Sequence, residues 1–367
     1  MDKIKNIEFL KFLFIFIVII SHLLTTWGSL TTFFPDLYSE GAEKYMVTGL
    51  GAYIFYFISG IFLYYTNRNK EVWSVTKYTV KRYLRFFPLV FLYILVAVLI
   101  VIHNNNFSVS TVSNSFLYLF LLNSTGLPVM DLSFSVMNFL SSLFWASVIV
   151  YSLRRFLEEK YSLFAISLIT IITTLFYFNY AFEQIPTNYF QNVYVIFDVF
   201  LLKGISGVGF GYLVSYLLFD KFNLSEKRRE EIDYKSFGFF LWSLIEIALL
   251  FALCYCTVGF PKISNNEFIF VQILLVVCFL LKKGAVSNLF ETGLSEKLGR
   301  YVFAIYVFHN FIVDALISFF LKHRMFVEQH ILLHTLIYII SSILIGVIVY
   351  HLFEKPFSDF LKKKFKI

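Results

Sequence analysis

Charged residues are scarce in this chain of 367 residues, of which they make up only 15%. Hydrophobic residues make up 59%, and 48 of them are phenylalanine. A soluble globular domain typically has about 25% charged residues, so this balance excludes that class. Apolar runs of membrane-spanning length recur between short charged loops. The composition therefore predicts an all-α polytopic integral membrane protein, in which helices satisfy the backbone within lipid.

Cysteine is also scarce. The chain has three, at Cys254, Cys256 and Cys278, all within or beside apolar runs. This number and spacing exclude a disulfide framework and suit no metal site, so we interpret them as packing residues. A cleavage site of small residues is missing after the first apolar run, although Lys3 and Lys5 precede that run as in a signal peptide. We expect the run to remain attached as a helix.

Ten apolar segments suggest about ten transmembrane helices in a single membrane domain over residues 1–367. The loops on one side of the membrane hold few Lys and Arg residues, and those on the other side hold many. By the positive-inside rule, both termini lie in the cytoplasm and the protein is multi-pass in the plasma membrane. The net charge of +7 then belongs to cytoplasmic loops and to a basic tail on anionic membrane lipids, and no nucleic acid partner is expected. The segments are 7–27, 47–66, 84–103, 132–153, 161–180, 193–219, 237–258, 266–282, 300–320 and 331–353.

The first segment carries three polar residues that a spanning helix does not need: Glu8, Lys11 and His22. Lys11 and His22 are separated by 11 positions, which at 100° per residue leaves them about 20° from alignment on one helix face and about 16 Å apart along the axis. Glu8 precedes Lys11 by three residues and can pair with it. Intramembrane ionisable residues are costly and are functional candidates. The alternatives are snorkelling of Glu8 and Lys11 to the interface, and a buried, hydrogen-bonded His22.

A second constellation lies in the ninth segment, in LGRYVFAIYVFHNF. Tyr306 and His309 are three residues apart and share a helix face. His309 lies at a depth where His22 could meet it if the two helices pack. The alternative is an interhelical hydrogen-bonding pair with no catalytic role.

A third constellation is the basic run KRYLRFFP, which we place in the loop after the second segment. Lys81, Arg82 and Arg85 would present cations at the cytoplasmic face, where a guanidinium suits a phosphate. Pro88 would start or bend the next helix. The alternative is that these charges only set the topology.

Weaker signals remain. In KGISGVGFG, Gly207 and Gly211 suit close helix packing better than a phosphate loop, because no strand precedes them. His330 and His334 have a metal-ligand spacing, but no carboxylate is spaced to complete a site, and we expect no metal. The alternative function is a transporter or flippase, with a proton or substrate path along four intramembrane residues. These are Asp198, Lys203, Glu246 and Asp314.

Several motifs occur in the order found in the membrane-bound acyltransferase 3 family, which the chain resembles over nearly its whole length. That family has a basic residue and a histidine separated by ten residues in its first helix, where this chain has Lys11 in place of the usual arginine. The chain departs from the family's pattern at Asn138, where tryptophan is common, and at Val302, where serine is common. The other matching motifs are FYFISGIFLYY around Ser59 and Gly60, KRYLRFFP, IYVFH and FEKPF.

The resemblance implies an O-acyltransferase, commonly one that moves acetyl from acetyl-CoA to a hydroxyl of a cell-surface polysaccharide or lipid-linked glycan. Under it, His22 is the general base or a transient acyl acceptor, and Lys11 and Glu8 lie on the same reaction path. Tyr306 and His309 would orient the acceptor or stabilise the oxyanion. The candidate coenzyme A-binding residues are Lys81, Arg82, Arg85 and Ser59.

Overall fold

The chain is almost entirely helical in its computed structural model, which describes residues 4–31, 52–68, 73–103, 109–125, 135–183, 192–194, 197–222, 236–257, 265–322 and 331–365. Two short strands, β1 (Asn192–Tyr194) and β2 (Phe197–Asp198), pair antiparallel ahead of α7. A π-helical turn, Leu217–Lys221, extends α7, and another, Tyr350–Glu354, joins the last two helices. Within the described ranges the helices are α1 (Lys5–Thr31), α2 (Tyr53–Asn67), α3 (Val75–His103), α4 (Val109–Leu119), α5 (Ser135–Phe156), α6 (Glu159–Glu183), α7 (Val199–Tyr216), α8 (Phe237–Thr257), α9 (Asn265–Leu281), α10 (Ala285–Leu289), α11 (Gly293–Lys322), α12 (Ile331–Val349) and α13 (Lys355–Phe365).

The predicted all-α class is confirmed, with the β1–β2 pair as a minor addition. Six apolar stretches in the described part of the chain are long enough to cross a membrane, and the apolar helix Glu267–Leu281 is shorter. The number of ten spanning helices and the cytoplasmic position of both termini stay predictions. The six stretches are Val75–His103, Val136–Phe156, Glu159–Tyr177, Val199–Lys221, Phe237–Cys256 and Leu333–Phe365.

The chain divides into two compact units. The first unit comprises Met1–Ile54 and Leu224–Tyr350, and the second comprises Phe55–Asn223 and His351–Ile367. In the first unit α11 packs against both α1 and α12, and α9 packs against α1 and α8. In the second unit α7 packs against α5 and α6, and α3 packs against α4, α5 and α13. The single domain predicted over residues 1–367 stays a prediction.

Close approach between α2 and α7 in the second unit depends on glycine. A methyl group at Gly60 would overlap the backbone of Val208, and one at Gly211 would overlap the backbone of Phe57. Small residues allow helix backbones to approach in this way in membranes. The packing role predicted for Gly211 is confirmed, and Gly207 is buried in the same helix. Two further glycines of α7 contact α5 and α6: Gly204 and Gly209.

The basic run KRYLRFFP is helical, so its placement in a loop was wrong. Helix α3 begins at Val75, where the Lys77 N–H donates to the hydroxyl of Ser74 at 3.2 Å, and it continues through a buried Pro88. A serine at this position caps the free N–H groups of the first helical turn. Hydropathy locates the apolar part of a helix, whereas the cap locates its start, and here the two differ by about two and a half turns.

The basic tail forms the amphipathic helix α13. Leu361 is buried, and the ring of Phe357 lies 6.1 Å from that of Phe87 in α3. Lys362 and Lys363 remain exposed. The tail is therefore anchored to α3 by its apolar face, and its place on anionic lipid stays a prediction.

Candidate active site

Helices α1 and α11 of the first unit bring together the two histidines that the sequence singled out. The imidazole rings of His22 and His309 lie edge to face, with their centroids 4.9 Å apart. His22 is partly buried, and His309 is fully buried. The prediction that the two rings meet if the helices pack is confirmed.

The tautomer of His309 follows from its hydrogen bond. Its Nδ1 lies 2.6 Å from the backbone carbonyl oxygen of Tyr306, three residues earlier on α11. A carbonyl oxygen can only accept, so Nδ1 carries the hydrogen and Nε2 of the neutral ring holds a lone pair. That Nε2 is buried and has no hydrogen-bond partner among the described residues. The site therefore holds a buried proton acceptor next to His22.

Tyr306 and His309 share one face of α11, as the spacing predicted, and their ring centroids are 5.8 Å apart. The neutral tautomer of His309 holds a lone pair at the buried Nε2. A lone pair cannot donate to an oxyanion, whereas it can accept an N–H or an O–H. The sequence predicted that His309 would orient the acceptor or stabilise the oxyanion. A lone pair at Nε2 suits orientation of a group that carries an N–H or an O–H, and it does not suit stabilisation of an oxyanion.

Glu8 and Lys11 form an ion pair one turn along α1. Lys11 Nζ lies 2.7 Å from a carboxylate oxygen of Glu8, and the exposed fractions of the two side chains are 18% and 6%. Gly299 of α11 packs directly on this carboxylate, and a methyl group there would overlap it. The predicted pairing is confirmed. The pair is packed between two helices, so simple snorkelling does not describe Glu8.

The N-terminal end of α1 is fixed to the last turn of α9 and to the segment that follows it. The side-chain amide of Asn6 is fully buried and donates to the carbonyl oxygens of Phe279 at 2.8 Å and Ser287 at 3.2 Å. The ring of Phe9 stacks on that of Phe290, with the centroids 3.5 Å apart. These contacts fix the axial position of α1 within the first unit, and with it the positions of Lys11 and His22.

In the second unit, Arg82 of α3 is held by Ser59 of α2. Its Nη2 donates to the Ser59 hydroxyl oxygen at 2.8 Å, and its guanidinium carbon lies 5.5 Å from the ring centroid of Phe86. Its Nε is buried without a hydrogen-bond partner among the described residues. Two residues from separate sequence motifs thus form one contact, which orients the guanidinium fork.

The other cations of the run lie nearby on α3. Lys81 Nζ is 4.2 Å from the ring centroid of Trp73, an arrangement that stabilises an ammonium. Arg85 is exposed one turn after Arg82, and its charge acts on the carboxylate of Glu354, in the FEKPF motif. The three basic side chains therefore form one electropositive region of the second unit, the α3 cation cluster (Lys81, Arg82 and Arg85).

Two of the four residues assigned to a transport path serve as helix caps. The Asp198 carboxylate accepts from the Phe200 N–H at 3.1 Å at the start of α7. The Glu246 carboxylate accepts from the N–H groups of Val286 and Ser287, at 2.9 and 3.0 Å. Lys203 Nζ lies 5.5 Å from the ring centroid of Tyr177, and Asp314 is exposed. Asp198 and Glu246 thus accept hydrogen bonds from N–H groups that have no partner within their own helix. This capping role accounts for two members of the proposed transport path.

Two residues escaped the sequence analysis. Gln272 in α9 is fully buried, and neither atom of its amide has a partner within the described residues. Its signal in the sequence is a single amide side chain within the apolar run FIFVQILLVV. An amide is not ionisable, so attention to ionisable intramembrane residues does not find it. Gly299 gave no signal, because its importance depends on Glu8 of another helix.

The chain matches the family model described as an acyltransferase domain over residues 4–351. The chain belongs to the acyltransferase 3 family. A membrane acyltransferase is therefore the activity class of this protein. No curated protein and no solved structure matches the chain.

The two departures from the acyltransferase 3 pattern are both buried. The Asn138 side-chain oxygen accepts from the Asn123 amide at 2.6 Å, and its backbone carbonyl accepts from Ser124. Val302 is buried in α11. His330, half of the possible metal pair, lies outside the described residues.

Proposed function

We propose that this member of the acyltransferase 3 family is a membrane O-acetyltransferase. It moves acetyl from cytoplasmic acetyl-CoA to a hydroxyl of a cell-surface polysaccharide or lipid-linked glycan. The observation that carries the proposal is the imidazole pair of His22 and His309 at the α1–α11 contact.

In this proposal His22 is the general base, and His309 orients it. A histidine suits this task at neutral pH because its ordinary pKa lies close to 6.5. The free Nε2 of His309 accepts the N–H of His22, which fixes the tautomer and leaves the other nitrogen of His22 facing the acceptor. Catalytic hydrogen bonds are often long without substrate and tighten in the complex, so the edge-to-face rings suit this role.

The reaction balances with these groups alone. His22 takes the proton of the acceptor hydroxyl as its oxygen attacks the thioester carbonyl carbon. The tetrahedral intermediate then collapses, and the bond from carbon to sulfur breaks. The coenzyme A thiolate leaves and takes the proton from the His22 imidazolium. The glycan gains an O-acetyl ester, and the histidine returns to its neutral form.

The α3 cation cluster binds the phosphates of acetyl-CoA in this proposal. The Nη2 of Arg82 donates to Ser59, which orients the guanidinium, and the N–H groups that Ser59 does not take would pair with a phosphate. Arg85 and Lys81 add positive charge beside it. These residues contribute to binding, whereas the histidines contribute to the chemical step.

Lys11 extends the path toward the cytoplasmic end of α1. Glu8 holds its ammonium at 2.7 Å, which fixes a long side chain that would otherwise sample many rotamers. A fixed cation at this level would attract the anionic donor. The predicted positive-inside topology supports a cytoplasmic donor, because coenzyme A is made in the cytoplasm and the basic segments are predicted to face it.

Transfer of radiolabel from acetyl-labelled acetyl-CoA to the glycan and lipid-linked fraction of membranes that contain the protein tests the proposal. We expect label with the wild type and a loss of about 10²–10⁴-fold with His22→Ala. His103→Ala is the control, because this exposed histidine at the end of α3 lies outside the proposed machinery.

Label in the wild type and undiminished label in His22→Ala at equal expression would refute the assignment of the base. No label in the wild type, with several acceptor preparations supplied, would refute acetyl transfer and favour the transporter. A transporter consumes no thioester and releases no free coenzyme A, so release of thiol separates the two functions directly.

A further inference from the structure

Gln272 presents an unpaired polar group in the interior of the first unit. Its side chain is fully buried, yet its Oε1 and Nε2 both lack a hydrogen-bond partner in the described part of the chain. A primary amide offers two donors and two acceptor lone pairs. Buried polar groups in proteins are nearly always paired, so an unpaired one calls for a partner that is sometimes present.

This amide lies in the middle of the buried face of α9. Phe268, Leu275, Val276 and Phe279 are all buried and stand three, four or seven positions from Gln272. These spacings place the five residues on one helix face. The α9 helix packs against α1, which carries Lys11 and His22, so the amide is in the same packed unit as the proposed reaction path.

The position of Gln272 along α9 follows from the contact at the end of that helix. Asn6, at the start of α1, donates to the carbonyl oxygen of Phe279 near the end of α9, so these two helix ends are in contact. Seven residues separate Phe279 from Gln272, a distance of about 10 Å along the helix axis. Gln272 thus lies about 10 Å along α9 from the point where this helix meets the start of α1.

We propose that Gln272 hydrogen-bonds the pantetheine arm of the acyl donor. This inference rests on the proposed function, in which the donor is acetyl-CoA. That arm carries two secondary amides, each with one N–H and one carbonyl oxygen. A primary amide that is both donor and acceptor complements such a chain, and an apolar helix face around it excludes competing water. The donor would supply the hydrogen-bond partners that the described residues do not give this amide.

The proposal predicts opposite effects on stability and binding. In Gln272→Met an apolar side chain of similar shape replaces the unpaired amide, and such a replacement is neutral or stabilising for the fold. The thermal midpoint should therefore stay level or rise. The Kd for coenzyme A should rise by about tenfold, since each neutral hydrogen bond is worth about 2–10-fold. A purely structural glutamine would show a lower thermal midpoint and an unchanged Kd.

Two matched variants serve as controls for this test. Leu275→Met changes the same face of α9 without touching a polar group, and it should alter neither quantity. Asn6→Leu removes a buried amide that is bonded to two carbonyls, so its thermal midpoint should fall. The contrast between Asn6 and Gln272 separates an amide that holds the fold from one that serves a ligand.

The experiment uses the purified full-length protein in nanodiscs, with coenzyme A, pantetheine and 3′,5′-ADP as separate probes in equilibrium dialysis. We expect Gln272→Met to weaken the binding of coenzyme A and of pantetheine to the same extent. The binding of 3′,5′-ADP should stay unchanged, because that fragment carries no pantetheine amide. Unchanged coenzyme A binding by the variant would overturn the proposal, and so would a rise in the Michaelis constant for the acceptor alone. If the wild type bound none of the three probes, the proposed acetyl-CoA dependence would fail as well, and the two failures are thereby distinguished.

Discussion

The two units of this protein carry polar groups of different kinds. In the first unit the buried groups at the candidate site include neutral ones left partly unpaired, namely Nε2 of His309 and the amide of Gln272. In the second unit they are cations that each have one contact in place: Arg82 bonds Ser59 through Nη2, while its Nε has no partner among the described residues, and Lys81 lies against the ring of Trp73. A buried neutral group without a partner costs about 1–3 kcal/mol, whereas an unpaired buried charge costs far more.

This difference has a functional meaning. A neutral group without a hydrogen-bond partner can accept a proton or form a hydrogen bond when the substrate binds. A cation that is already oriented attracts an anion and needs little rearrangement to hold it. The proposed function then predicts that variants in the first unit change turnover and variants in the second unit change donor affinity, and kinetic measurements on such variants separate the two effects.

The largest expected effect is that of His309→Phe in the first unit. The phenyl ring fills the same space but has no lone pair to orient His22. We expect kcat to fall by about 10²-fold or more, while the Michaelis constant for acetyl-CoA stays unchanged. Steady-state kinetics on protein of matched folded fraction measures both.

His334→Phe is the control for that change, since His334 is also a buried histidine of the first unit but has no assigned role. A fall in kcat with both variants would indicate a general loss of packing. An unchanged kcat in His309→Phe would remove His309 from the mechanism.

The next effect is that of Arg82→Ala in the second unit. Hydrogen bonds to charged groups are worth about 1.5–3 kcal/mol, so the Michaelis constant for acetyl-CoA should rise by about 10–100-fold with little change in kcat. Arg82→Lys should restore only part of it, because an ammonium lacks the planar fork.

Arg155→Ala tests whether any lost positive charge has the same effect, since Arg155 is an exposed arginine of the same unit. We expect its kinetics to match the wild type. If kcat rather than the Michaelis constant fell in Arg82→Ala, the division of labour between the units would be wrong.

The smallest effect is that of Gly299→Ala in α11. The added methyl overlaps the Glu8 carboxylate, and overpacking of this kind costs about 1–3 kcal/mol. We expect a lower thermal midpoint and a several-fold loss of activity as the Glu8–Lys11 pair is displaced. Thermal unfolding in detergent and acetyl transfer measure the two effects.

Gly293→Ala on the same helix is the matched control, because nothing lies within 4 Å of a methyl group there. That variant should be neutral or slightly more stable, since alanine favours helix over glycine. The double variant Glu8→Ala with Gly299→Ala should regain thermal stability but not activity. Recovery of full activity in the double variant would show that the ion pair has no part in the reaction.

The sequence by itself determined the class of this protein and the residues on its helices. Apolar runs gave an all-α membrane protein, because lipid admits helices that satisfy their own backbone. The 3.6-residue period put Glu8 beside Lys11, and Tyr306 on the same face as His309. The motifs gave the family, which the match over residues 4–351 confirmed.

Tertiary structure decided everything that depends on contact between helices. Helical period specifies the face on which His22 or His309 lies, but only packing of α1 on α11 brings the rings to 4.9 Å. The start of α3 at Val75 depends on a cap that hydropathy does not register. The importance of Gly299 and the unpaired state of Gln272 likewise arise from neighbours distant in the chain, and a local pattern carries no information about such neighbours.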